Sequence, residues 1–220
     1  MTAHDPPRYQ FSHPRTPDGQ QVRPADVISQ HRHMMQFPSI RPDAADAGPT
    51  LWAIQTHLLA RAEAAFGPRN QSKKIYQPAF DDKGPYLSNS KTMDGAFAIL
   101  SLSAAGYWPT VIYELAHETV HLLDPVVGIT NWLEEGAAVE FAIRMTRELT
   151  QHPMAPPLDS NYATAHGLVL QLPSPIDQSL AAIRSQFGSL SAVSAEQLAA
   201  TFPSISRSLC GRLAEPCKPR

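Results

Sequence analysis

The stretch Ile112-Tyr113-Glu114-Leu115-Ala116-His117-Glu118-Thr119-Val120-His121-Leu122-Leu123 limits what this chain can fold into more than any other. Its apolar residues run nearly all round a helix, so the segment must be buried and its ionisable groups with it. Two histidines four residues apart stand one above the other on a helix, separated by about 6 Å of rise, so both imidazoles can converge on one ion. Glu118 points one step round and can address a water on that ion. His-Glu-x-x-His is the spacing in which two histidines bind zinc and the carboxylate serves as general base. Core histidines satisfied by backbone carbonyls are the plain alternative. The apolar flanks weigh against it, because buried ionisable groups need a partner and a metal ion satisfies all three.

At 220 residues the chain can bury a sizeable core, and one catalytic domain with an extension fits the usual size range. Residues 1–49 contain eight prolines and mixed charges without a sustained period, which predicts a Pro-rich, partly ordered arm. Its histidines, His4, His13, His31 and His33, read as solvated loop residues. Residues 50–220 form the expected domain. A net charge of -2 and the lack of a long basic run argue against nucleic acid or an anionic membrane as main partner. There is no uncharged apolar run of membrane length and no basic-then-apolar signal at the N-terminus, so the expectation is a soluble cytoplasmic protein. Cys210 and Cys217 match no common zinc spacing and are taken as structural or incidental.

Leu51, Ile54, Leu58, Leu59 and Ala62 fall at helical spacing, with Gly67-Pro68 as a stop. Short β-type runs follow at 74–76, 85–87 and 96–102, broken by turn residues. They predict an antiparallel or mixed sheet whose last strand precedes the histidine helix; an edge strand in that position could pair with an extended peptide, and a covered edge is the plain alternative. Pro109 suits the first turn of that helix and Pro125 forces its end near Asp124. A second helix begins at Asn131-Trp132. Further helices are expected from about Asn161 to Leu172, from Ser174-Pro175 to Gly188, and after the capping-box sequence Ser194-Ala195-Glu196-Gln197. The fold class is therefore α+β with a mostly helical C-terminal part.

Asn131 is a good N-cap, and Glu134, three residues on, is placed to complete a variant of the capping box, which leaves Glu135 free. Glu135 continues into Ala138, Val139 and Ala142, residues that let this helix approach the histidine helix closely. Between Thr92 and Ile143 there is no Lys or Arg, while Asp94, Glu114, Glu118, Asp124, Glu134, Glu135 and Glu140 supply seven carboxylates. A bound dication would balance part of that charge, and the remaining negative potential would favour a substrate carrying a positive group.

His117-Glu118-x-x-His121 followed by Trp132-Leu133-Glu134-Glu135-Gly136-Ala137-Ala138 resembles the gluzincins, the group that includes thermolysin-like proteases and zinc aminopeptidases. In the aminopeptidases a Trp-Leu-x-Glu-Gly-x-Ala segment gives the third metal ligand from its glutamate, here Glu135. The segment Tyr162-Ala163-Thr164-Ala165-His166-Gly167-Leu168 is similar to the helix whose leading tyrosine stabilises the oxyanion in those enzymes. The likeness spans residues 111–172 and implies a zincin-like fold. It also implies one Zn²⁺ per chain on His117, His121 and Glu135, Glu118 as general base, and Tyr162 as oxyanion donor. His166, one turn beyond Tyr162, is the alternative donor, since thermolysin-like enzymes use a histidine. Asp124 and Glu140 are candidates to hold the ligand histidines. Two departures stand out. Only thirteen residues separate His121 from Glu135, fewer than in the large aminopeptidases, and no Gly-x-Met-Glu-Asn segment is present to grip a substrate amino terminus. The expected function is hydrolysis of peptide bonds in a peptide or protein substrate. The alternative is a zinc-stabilised, non-catalytic binding or regulatory module.

Overall fold

The computed structural model describes residues 48–150 and 160–217. Four strands and seven helices follow one another in this part of the chain. Helix α1 (Gly48–Phe66) buries Leu51, Ile54, Leu58, Ala62 and Phe66 along one face. It stops at Gly67, whose φ of 90° is open to glycine alone without strain. The Arg184 guanidinium satisfies the carbonyls left over at that end, donating to Phe66, Gly67 and Pro68. The arm assigned to residues 1–49 lies outside the described residues, apart from Gly48 and Pro49, which open α1.

The sheet is small and mixed, and β4 (Gly95–Ser101) is its centre. On one flank β1 (Lys74–Ile75) and β2 (Ala79–Asp81) both run parallel to it, one beside its start and one beside its end. On the other flank β3 (Tyr86–Asn89) runs antiparallel, pairing Tyr86 with Ile99 and Asn89 with Ala96. The last strand is central and covered, the plain alternative above, and β3 lies at an edge. Hydropathy explains this: β4 is buried at six of its seven positions, as suits a strand covered on both faces. The expectation also passed over β2, whose three residues follow Pro78 and have no period to detect.

Strand β4 is tied to the next helix by a buried carboxylate. The Ser101 backbone N–H and hydroxyl donate to Glu114 at 2.8 and 2.6 Å, fixing the strand end against α2 (Trp108–His121). Pro109 sits in the first turn of α2, as expected. The helix closes at His121, with Leu123 N–H bonding back three residues to Val120. The expected end at Asp124 is too late by a turn, since Pro125 disfavours helical backbone in the residue before it.

Helix α3 (Trp132–Thr150) packs along α2, and α4 (Asn161–Val169) packs along α3. Ser160 caps α4 by accepting from Ala163 N–H. Helices α5 (Ile176–Phe187), α6 (Ala195–Thr201) and α7 (Arg207–Ala214) close the core from the C-terminal side. Gly188 ends α5 at φ 81° and the Ser194–Gln197 capping box opens α6, both as expected. The chain then returns to the start of α3: Trp132 N–H donates to Glu215, Cys217 N–H donates to Thr130, and Asn131 bridges Pro216. Cys210 and Cys217 are both free thiols. Among the described residues no helix is long and apolar enough to cross a membrane. The architecture is α+β and mostly helical.

Gly136 sets the spacing between α3 and α4, because a Cβ there would overlap the Ala165 carbonyl oxygen and a Val169 methyl. Gly136→Ala gains about 1 kcal/mol of helix propensity. It loses about 1–3 kcal/mol to overpacking, since the obstructing oxygen belongs to backbone and cannot rotate away. The expected result is a melting temperature several degrees lower by circular dichroism. A variant that melts at or above the parent would show that α4 can retreat freely.

Candidate metal centre

Helix α2 presents His117 and His121 one turn apart, with ring centroids 5.1 Å from each other and their Nε2 atoms 3.3 Å apart. From α3, Glu135 brings Oε2 to 3.3 Å from His117 Nε2 and Oε1 to 3.6 Å from His121 Nε2. One donor atom from each residue lies within 4.8 Å of the other two. Two ligands held about 2.05 Å from a tetrahedral ion stand about 3.3 Å apart, which matches the separation of the two imidazole nitrogens and that of His117 Nε2 from Glu135 Oε2, while the approach to His121 is made by the other carboxylate oxygen. A second observation fits the same ion: Glu135 Oε2 is buried and has no hydrogen-bond partner, whereas Oε1 accepts from the Thr130 hydroxyl. A buried carboxylate oxygen beside an imidazole nitrogen and without a hydrogen bond is an atom that a cation held between the two groups would satisfy.

Glu134 departs from its expected role. Asn131 does cap the helix, its side-chain oxygen accepting from Glu134 N–H at 2.9 Å. The Glu134 side chain does not turn back to complete the box. Its Oε1 lies 2.7 Å from His121 Nδ1, and Oε2 accepts from the Ser191 hydroxyl. A carboxylate at Nδ1 keeps a proton on that nitrogen, so when the ring is neutral Nε2 is the atom with the lone pair, and it faces His117 and Glu135. Asp124 and Glu140, considered above for this task, serve elsewhere. Asp124 accepts from the Asn70 amide and Glu140 pairs with His166 Nε2 at 2.7 Å.

The surplus of carboxylates therefore resolves residue by residue. Asp94 is held by Lys74, which reaches it from β1, and by the hydroxyls of Tyr76, Ser90 and Thr92. Glu114 is held by Ser101, Asp124 by Asn70, Glu134 by His121 and Glu140 by His166. Glu118 and Glu135 remain, and both face the histidine pair.

Glu118 is 3% exposed. Burial pushes its pKa up against the attraction of the two histidines, the direction that suits a group which must accept and release a proton near neutral pH. Tyr162, in the first turn of α4, sets its ring 5.1 Å from the His117 ring and lines the cleft. Burial, then the charges of Glu135 and Glu118, hold its hydroxyl well above the usual phenol range, so it remains a donor. His166 points to Glu140 and does not line the cleft, which separates the two candidate donors. Cys217, expected to be incidental, lines the cleft too. Burial and the Glu135 carboxylate push its thiol up to about 12. Its sulfur falls outside the set of mutually close donor atoms. No sequence signal pointed to Ser191 or Cys217, because each arrives through the C-terminal return of the chain. The doubled glutamate at 134–135 was the available hint for the first. Compared with protein-family models, curated proteins and solved structures, the chain matches none.

Two predictions follow from this geometry. Glu135→Ala removes a ligand and should abolish tight zinc binding, while Glu134→Ala should weaken it roughly 10- to 100-fold by freeing the His121 ring. Chelator competition measures both, and parent-like affinity in the Glu134 variant would return that residue to a capping role. Burial opposes charge on His121, but Glu135, Glu134 and Glu118 outweigh it and hold the imidazole up to about 10 in the metal-free protein. The ring is thus protonated at neutral pH and must lose that proton to bind a metal. Zinc titrations at pH 8 in buffers of different ionisation enthalpy should show proton release, with apparent affinity rising as pH approaches 10. Affinity independent of pH would place the proton elsewhere.

Proposed function

We propose that this chain is a zinc-dependent metallopeptidase of compact, gluzincin-like type, with a zincin-like domain built around α2. His117, His121 and Glu135 are its ligands. The support is the gathering of one donor atom from each of these three residues within 4.8 Å of the others, with the buried Glu118 beside them. When bound, zinc supplies Lewis acidity and a water of lowered pKa. Glu118 takes a proton from the attacking water and passes it to the leaving amine nitrogen. The Tyr162 hydroxyl donates to the oxygen that gains charge on the attacked carbonyl. Glu134 keeps the His121 ring turned with Nε2 inward. Strand β3 pairs only with β4 among the described strands, so its outer edge offers backbone groups to an extended peptide entering the cleft.

The second reading is a zinc-stabilised module without catalysis, and Cys217 is the residue that favours it. A thiolate swung onto the ion would close the fourth position, as in structural sites. Against it stand Glu118, for which a closed site has no use, and the position of the Cys217 sulfur outside the donor set. A cobalt-substituted protein distinguishes the two, since a thiolate ligand gives a sulfur-to-metal charge-transfer band and the open site gives none.

Glu118→Gln should keep its zinc and its fold and lose hydrolysis roughly a hundredfold or more, because the amide cannot accept the proton. Tyr162→Phe should lower kcat by roughly a hundredfold with little change in KM or zinc content, since its bond forms chiefly in the transition state. His166→Ala should be milder. Peptide cleavage at the parent rate by the Glu118 variant would end the catalytic assignment.

A further inference from the structure

The cleft over the three donor residues has a volume of about 560 Å³, within the range of sites that enclose a short stretch of ligand. One wall is the start of β3, with Pro85, Tyr86 and Leu87. The other is the loop after α2, with Val126, Val127 and Ile129. Among the described residues Val127 and Ile129 are the most exposed large apolar side chains, at 78% and 57%. A single exposed hydrophobic residue is unremarkable. Two of them on either side of Gly128, forming the wall of a cleft beside a candidate metal site, are an uncovered apolar surface where a ligand would pass. Asn89 holds the two walls together at one end, its amide donating to the Val126 carbonyl at 3.1 Å.

The charges of the cleft limit what part of a polypeptide fits there. Among the described residues no Lys or Arg lines it, so a substrate α-carboxylate would find no cation among them. Its three carboxylates are all committed. Glu134 is held by His121 and Ser191, Glu135 faces the histidine pair, and Glu118 is the proton acceptor. None is spare to hold an α-ammonium. A chain end brought to the metal would carry an unpaired charge into a partly desolvated cleft, at a cost that an internal segment avoids.

Resting on the function proposed above, we infer that the cleft takes internal, apolar stretches of an extended polypeptide, with Val127 and Ile129 selecting apolar side chains beside the scissile bond. The enzyme is an endopeptidase, and the loop 126–130 is its specificity element.

The test uses the zinc-loaded full chain and two matched peptide sets, one with free termini and one acetylated and amidated. Product mapping by mass spectrometry should show both sets cut internally at comparable rates, with an apolar residue flanking the cut. Cleavage confined to free-ended peptides, or flanked by charged residues, would overturn this inference and leave the metallopeptidase standing. No cleavage of either set would overturn both. Binding gives a readout apart from turnover: on a Glu118→Gln background, Val127→Ser with Ile129→Ser should weaken the Kd for a blocked apolar peptide roughly tenfold by fluorescence anisotropy. Both positions are solvated, so the fold should tolerate the change. An unchanged Kd would remove the loop from the binding surface.

Discussion

The structure depends on a collection of charge that cannot be buried without something to bind it. Glu118, Glu134, Glu135, His117 and His121 meet where α2 and α3 cross, in a region whose own sequence has neither lysine nor arginine. Burial works against charge on both partners, yet Glu135 and Glu134 hold the His121 imidazole up to about 10 and the two histidines bring the Glu135 carboxyl down to about 2. That arrangement neutralises part of the cluster and leaves Glu135 Oε2 without a hydrogen bond. The divalent ion proposed for this place would replace the imidazole proton and satisfy the Glu135 oxygen together.

The remaining architecture can be seen as support for this crossing. Glu114 and Ser101 fix α2 against the central strand. Gly136 admits α4 so closely that Tyr162 lands against His117. The C-terminal segments come back to the entry of α3: Asn131 donates to Leu190, Ser191 donates to Glu134, and Glu215 and Cys217 bond to either side of Asn131. Local sequence around the histidines therefore supplies the candidate ligands, and distant sequence sets their orientation.

That division also accounts for what could be read beforehand. The histidine helix, the Asn131 cap, the Gly188 stop and the Ser194 capping box are local signals, with their causes within four residues, and they fold as expected. Glu135 came forward as the free glutamate for a reason only half correct, because Glu134 is occupied by His121 and not by the helix start. The sheet order was not legible, because burial of β4 on both faces is a property of its neighbours, and the short parallel strands beside it have no signature of their own. Ser191 and Cys217 were invisible for the same reason: nothing nearby in the chain says which helix end they will meet.

Two adjacent glutamates contacting one imidazole need a geometric reason. Successive residues on a helix point about 100° apart, so neighbouring side chains cannot share one target from the same side. They can bracket it. Glu135 stands toward His121 Nε2 at 3.6 Å and Glu134 toward Nδ1 at 2.7 Å, so the ring lies between two diverging carboxylates. The bracket works only if α3 meets α2 in one rotational register, because one step along α3 would turn both carboxylates away from the ring. The short connection of thirteen residues between His121 and Glu135, with its end pinned by Asn131 and the C-terminal return, holds that register. The same pair thus turns Nδ1 to one carboxylate and Nε2 toward His117 and the other, an orientation that a single glutamate at either position would leave open.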